Sequence, residues 1–359
     1  MLITDLGWDA YFQASWNETE RGEGVPARVV AQYRGLWRIA GNFDECWAEP
    51  SGRLRLQGEG GGDWPAVGDW TAAEIRAGQG NAILHDVLPR RSRFSRKAAG
   101  RAVIQQVVAA NIDVALIVAG LDGDFNLRRI ERYMAQCWES SVRPVIVLNK
   151  ADACEGPREY AAMIERTCMG TPTFVVSART GDGIEELEAS LVKGWTAVLL
   201  GSSGVGKSTL VNRLLREERQ ATQPVRRTDS KGRHTTTRRE LFVLPSGAIM
   251  IDTPGLRELQ LWSECGDLAQ TFVDVEELAT RCRFRDCRHE SEPGCAVKAA
   301  VKDGTIDGAR LENKRKLQRE QEFLLRKLDP ERQHEYKKRI KILFRAIRQD
   351  AQSRSKEKN

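Results

Sequence analysis

Two segments carry residue types that together would grip a triphosphate. Gly201-Ser202-Ser203-Gly204-Val205-Gly206-Lys207-Ser208 meets every fixed position of the G-x-x-x-x-G-K-[ST] phosphate loop. Its glycines let the backbone close on phosphate oxygens, whose charge is met by N–H groups and by the N-terminus of the following helix. Lys207 is placed to reach the β- and γ-phosphates and Ser208 to ligate Mg²⁺, with Thr209 next in the first helical turn. Val198-Leu199-Leu200 before the loop and Leu210 to Leu214 after it supply the strand–loop–helix setting that the motif requires. In Ile249-Met250-Ile251-Asp252-Thr253-Pro254-Gly255 an apolar strand ends in a carboxylate for the metal, and the Gly255 N–H can meet the γ-phosphate.

A third segment, Asn149-Lys150-Ala151-Asp152, reads the base. The Asp152 carboxylate accepts from two donors on the guanine edge that adenine lacks, and an unpaired acceptor there discriminates by roughly 10⁴ or more. This argues against a P-loop kinase or ATPase. Asn149 braces the loops, and the Lys150 stem covers the base plane. Ser177-Ala178-Arg179, one strand later, is the companion motif whose Ala178 N–H is placed to meet the guanine carbonyl. Both base-reading segments lie upstream of the phosphate loop, the reverse of an ordinary GTPase. The plain reading is a circularly permuted GTPase that binds GTP and GDP with Mg²⁺.

The run from Val225 to Arg239 is polar, basic and glycine-containing, which predicts a flexible switch loop. Within Gly232-Arg233-His234-Thr235-Thr236-Thr237, Thr236 is the first choice for completing the Mg²⁺ shell and Thr235 the second. Leu256 follows Gly255, where many GTPases carry a water-positioning glutamine. Leucine cannot orient water, so intrinsic hydrolysis is expected to be slow. His234 is the internal candidate for the catalytic residue; the alternative is a surface-loop histidine. A passive RNA-binding module with little turnover is the competing function.

Cys282-x4-Cys287-x-His289-x5-Cys295 offers three thiolates and one imidazole, a closed tetrahedral shell for one structural Zn²⁺. A reactive thiol pair is the alternative. The remaining cysteines, Cys46, Cys137, Cys154, Cys168 and Cys265, are scattered and read as small buried hydrophobes.

The elements that must position these groups follow from pattern. Residues 1–98 predict short strands with glycine-rich turns: an N-terminal β-barrel, OB-like or another small barrel. Pro89 to Arg101 reads as a basic connector, either solvated or contacting a phosphate backbone. Residues 99–265 alternate apolar strands (Ile112–Ala119, Pro144–Leu148, Thr173–Val176, Ala197–Leu200, Leu241–Leu244, Ala248–Ile251) with helices (Leu127–Glu139, Arg158–Thr167, Ile184–Val192, Lys207–Glu217). That predicts a central α/β domain on a parallel sheet covered on both faces. Residues 266–359 predict a mostly helical zinc-binding domain ending in a basic helix around Lys337–Arg348.

From Arg310 to Asn359, 17 Lys/Arg face 8 Asp/Glu, a net of +9 within a chain of +6 overall. Such a tail favours a polyanionic partner. No apolar stretch is long enough to span a bilayer and no signal peptide is evident, so a cytoplasmic protein, a monomer without a membrane partner, is expected.

The permuted motif order, Arg233 to Thr237, Asp252 to Gly255, Asp124 to Tyr133, Leu88-Pro89-Arg90-Arg91 and the cysteine cluster together resemble the RsgA (YjeQ) ribosome-biogenesis GTPases. The resemblance covers nearly the whole chain. It implies an OB domain, a permuted GTPase and a zinc domain that assist late maturation of the small ribosomal subunit. It further implies contact with the subunit's rRNA and GTP hydrolysis stimulated by it.

Overall fold

The computed structural model describes residues 1–18, 24–33, 35–59, 64–76, 80–97, 105–218, 239–252 and 267–328. Strands β1 (Val25–Gln32), β2 (Trp37–Gly41), β3 (Phe43–Pro50), β4 (Trp70–Arg76) and β5 (Asn81–Val87) close in the order β1-β2-β3-β5-β4-β1. Helices α1 (Ala10–Asn17) and α2 (Gly52–Glu59) precede β1 and follow β3. This is the OB-like barrel that the short strands predicted. Ala27, Val29, Ile39, Ala48, Ala73 and Leu84 fill it, with Leu54 of α2 packed among them.

Over its described residues, 89–97, the basic connector is not a linker. Arg93–Lys97 forms β6, antiparallel to β7 (Gln105–Ala110). Before it, Arg90 donates Nε and Nη2 to the two carboxylate oxygens of fully buried Asp69 at 2.8 and 2.7 Å. Arg91 pairs with Asp9 at 2.8 Å and lies over the Phe12 ring. These two cations are committed to folding, and their partners are too distant in sequence for composition to reveal.

The α/β layer holds β8 (Val114–Gly120), β9 (Arg143–Asn149), β10 (Thr173–Val175), β11 (Thr196–Leu200), β12 (Arg239–Val243) and β13 (Ile249–Asp252). Their order is β10-β9-β8-β11-β13-β12. Alternate strand residues enter two cores, as period-two geometry requires of a sheet buried on both faces. Ile117, Leu148 and Val198 meet Ile130 and Met134 of α3 (Leu127–Glu139) and Ile164 of α4 (Pro157–Thr167). Leu116, Val147 and Leu199 meet Leu187 of α5 (Ile184–Ala189) and Leu210 and Leu214 of α6 (Lys207–Leu215).

The sheet is not wholly parallel: β12 runs antiparallel to β13. The stretch from Leu244 to Ala248 is far too short for a crossover, so the two strands form a hairpin. Helix α6 stops at Leu215, earlier than predicted, because Arg216 takes a left-handed conformation with φ of 58°.

Barrel and α/β sheet belong to one compact unit. Ala31 and Gln32 at the end of β1 pair with Glu240 and Arg239 of β12, which joins the strands into one sheet. Arg28 of β1, 1% exposed, donates to the carbonyls of Leu6, Gly68 and Asn111 and to Thr196 Oγ1. Burial lowers its pKa to about 10, so it stays charged at neutral pH. Arg28→Met keeps the bulk but orphans these acceptors, and is expected to cost about 3 kcal/mol. A lowered urea midpoint at unchanged slope is the expected result; an unchanged midpoint would show that the network adds no stability.

The second unit holds α7 (Asp267–Thr271), α8 (Val273–Ala279), α9 (Ala296–Lys302) and α10 (Gly308–Leu328). Leu268, Phe272, Val275, Val297, Leu311 and Leu317 are buried. Arg310 forks onto the Asp274 carboxylate at 2.8 Å and stacks over Phe272. Among the described residues no helix is long and apolar enough to cross a membrane. The basic helix predicted around Lys337–Arg348 lies outside the described residues.

Candidate nucleotide site and metal cluster

Parallel strands deliver their C-terminal ends to one sheet edge, where α/β proteins place ligands. Gly120 pairs with Asn149, Ile117 with Leu200, and Val198 with Ile251. The phosphate loop, the Asn149–Asp152 segment and Asp252 therefore leave the sheet at the same edge, although the chain visits them in permuted order.

Asn149 is the brace between them. It is 1% exposed; its Nδ2 donates to the Val205 carbonyl of the phosphate loop at 2.8 Å. Its Oδ1 accepts from the Ala178 N–H at 2.9 Å. The Ala178 N–H, expected to face a guanine carbonyl, thus serves to link the two base-reading segments. Gly206, with φ of +92°, allows this approach, since a Cβ there would lie 2.4 Å from Asn149 Nδ2. Gly201, with φ of +144°, is likewise pressed against the Val118 carbonyl, 2.4 Å from where a Cβ would sit.

The Asp152 carboxylate accepts from the Ser177 hydroxyl and pairs with Arg179. The Ser177 bond above all, with the Arg179 charge, holds it below the usual carboxylate range, so it is an ionised acceptor at neutral pH. Lys150 pairs with Asp122, a residue the sequence reading did not single out. Lys207 Nζ donates to the carbonyls of Gly201 (2.8 Å) and Ser202. Ser203 and Gly204 form the turn of the loop, while Ser208 and Thr209 lie in the first turn of α6. Arg213, also unforeseen, ties α6 to the carbonyls of Ala178 (3.2 Å) and Arg179 (2.6 Å). His234, Thr235, Thr236, Gly255 and Leu256 lie outside the described residues.

In the second unit, the ligand atoms of Cys282, Cys287, His289 and Cys295 lie within 4.8 Å of one another. Cys282 Sγ stands 3.8 Å from Cys295 Sγ and 3.6 Å from His289 Nδ1, which is 3.4 Å from Cys295 Sγ. A tetrahedral zinc shell has S···S edges of about 3.8 Å and S···N edges of about 3.5–3.6 Å. The donor set and its spacing therefore fit Zn²⁺, and the sulfur separation is far beyond a disulfide bond. Between the ligands, the Glu292 carboxylate accepts from the N–H groups of Arg288 (2.9 Å), Glu290 (2.8 Å) and Ser291 (3.0 Å). The Arg288 bond leads in pulling its pKa down to about 2, so this backbone clamp is charged throughout the physiological range.

These features define a circularly permuted P-loop GTPase with an N-terminal OB-like barrel and a C-terminal unit that carries a Cys3His cluster. Comparison with known proteins supplies the narrower class. The family profile described as RsgA GTPase matches residues 87–262, and one described as a 50S ribosome-binding GTPase matches residues 196–344. The small ribosomal subunit biogenesis GTPase RsgA of Opitutus terrae is 47% identical, covering 92% of each chain. That of Streptomyces coelicolor is 39% identical over 94% of this chain and 92% of the relative. Among solved structures, YjeQ from Thermotoga maritima superposes with a TM-score of 0.62 at 27% identity, over 82% of this chain and 98% of that one. YloQ, a circularly permuted GTPase, superposes with a TM-score of 0.61 at 21% identity, over 84% and 96%, a likeness of fold. The chain belongs to the RsgA family of GTPases and hydrolyses GTP.

Proposed function

We propose that this chain is a cytoplasmic, monomeric GTPase that binds the small ribosomal subunit through its rRNA and assists its late maturation. The reading is carried by 47% identity over 92% of a relative named for that role. Residues 1–98 serve as the RNA-binding barrel, 99–265 as the GTPase domain and 266–359 as the zinc-binding domain. In the last of these Arg281, Arg283, Arg285 and Arg288 are exposed around exposed Phe284, a set suited to phosphates and an unstacked base.

In the GTPase domain the loop from Gly201 to Ser208 with Thr209 holds the phosphates. Lys150 and Asp152 face the guanine, and Asn149, Ser177 and Ala178 brace the pocket around it. Ser208, Thr236 and Asp252 are the residues that would hold Mg²⁺, which supplies charge neutralisation at the β- and γ-phosphates. Gly255 reads the γ-phosphate, and His234 positions the attacking water in place of Leu256.

The test is GTP turnover with isolated small subunits, large subunits or free RNA. Small subunits alone are expected to stimulate at least about tenfold, well within what a group supplied in trans can add to a GTPase site. Equal rates in all three mixtures would sink the proposal and favour the passive RNA-binding module. His234→Ala is expected to lower the stimulated rate by about 10²-fold with GTP affinity nearly unchanged. Equal stimulated turnover in variant and parent removes His234 from the mechanism.

A further inference from the structure

Arg129 sits where helix electrostatics disfavours it. The Asn126 side chain caps α3 by accepting from the Arg129 N–H at 3.0 Å, which places Arg128 and Arg129 in the first turn. A helix N-terminus carries partial positive charge and favours acids there. Departures from a local rule concentrate at functional sites. Arg128 is explained by packing, since it pairs at 2.7 Å with the buried Glu131 carboxylate.

Arg129 has different partners. Its Nη1 donates to Asp124 Oδ2 at 2.8 Å and to the Ser202 hydroxyl of the phosphate loop. The side chains of Arg129 and Asp124 are 36% and 40% exposed, so the pair is solvated rather than locked into the core. The same Ser202 accepts from Lys207 through its carbonyl. Two cations thus converge on one residue of the loop, and one of them is the lysine that meets the β- and γ-phosphates in loops of this type.

We propose that Arg129 is a catalytic arginine supplied in cis, which reaches the β–γ end of GTP from the start of α3. This rests on the reading of residues 201–208 as a GTP phosphate loop. In hydrolysis, water oxygen bonds to the γ-phosphorus and the bond to the β–γ bridging oxygen breaks. The electron pair of that bond stays on the β-phosphate, one water proton remains on the released phosphate and the other passes to solvent. The guanidinium neutralises the charge that develops on the bridging oxygen. Asp124 is a positioning residue that keeps the guanidinium beside Ser202 until phosphate competes for it.

The experiment compares Arg129→Ala and Arg129→Lys with the parent, as full-length chains. It measures single-turnover hydrolysis with and without small subunits, GTP and GDP affinity, and binding of GDP with aluminium fluoride. Arg129→Ala is expected to lower turnover by about 10³-fold or more, the lower end of the range for such arginines. GDP affinity is expected to stay within about threefold, while the tighter binding given by aluminium fluoride is lost. Arg129→Lys, which keeps a point charge without the fork, is expected to recover part of the rate. Turnover within about threefold of the parent overturns the proposal. So does equal weakening of GTP and GDP at unchanged turnover, which assigns Arg129 to bracing the loop. If small subunits fail to stimulate the parent, the ribosomal reading fails, and the variants are still decided on the intrinsic rate.

Discussion

Asp152→Asn is expected to exchange guanine for xanthine. Guanine offers two donors along the edge that a carboxylate reads. Xanthine keeps the ring N–H but replaces the amino group with a carbonyl, an acceptor. A carboxylate accepts only, whereas an asparagine amide accepts with its oxygen and donates with its nitrogen. In the parent the carboxylate is ionised and already held by Ser177 and Arg179, so its orientation does not depend on the base. The substitution is nearly isosteric and leaves Asn149 between Val205 and Ala178 undisturbed. GTP affinity is expected to fall by roughly 10⁴, the scale on which a site built for a hydrogen bond rejects a mismatched edge, and XTP affinity to rise by a similar factor. Competition between the two nucleotides decides it. Equal loss of both would mean that Asp152 only supports the loop; retention of GTP preference would remove it from base recognition.

The permuted site was legible because its parts are local. Each motif is a contiguous segment fed by an apolar strand, and β8, β9 and β11 are buried along almost their whole length. Helix α3 begins and ends where its amphipathic pattern does. The cysteine cluster was legible for the same reason, all four ligands falling between residues 282 and 295. What pattern could not give were contacts across long sequence distance. Arg28 and Thr196 are 168 residues apart, and Arg129 and Ser202 are 73 apart. A buried arginine in a barrel strand and an arginine in a linker look alike in composition, so pattern alone does not show that Asp69 holds Arg90. The antiparallel β12 was a failure of another kind. Its short return from Val243 to Ile249 excludes a parallel crossover, a signal the sequence does carry. Arg129 left a signal as well: two cations in a capped first turn, without acids to balance the N-terminus.

Zinc removal is the second large effect expected, and it separates the two compact units. The second unit, described over residues 267–328, has a thin core of Leu268, Phe272, Val275, Val297, Ala300, Ile306, Leu311 and Leu317. A unit of this size rarely folds on such a core without a staple. Its chain between Cys282 and Cys295 has little regular structure to hold it. Cys295 itself caps α9, its Sγ accepting from the Lys298 N–H at 3.4 Å, so the cluster is wired to a core helix. Structural zinc of this type contributes on the order of 10 kcal/mol to folding, more than such a core can supply alone. Chelation at neutral pH is therefore expected to release one zinc per chain and to melt α8, α9 and the packed part of α10. Loss of helical circular dichroism and new protease cuts confined to residues after 267 would record it. GDP affinity is expected to stay within about threefold, since the barrel and the α/β sheet have their own cores. Cys295→Ser should reproduce the result without chelator. If the metal leaves and the helical signal and protease pattern stay as they were, the four ligands do not hold this unit together.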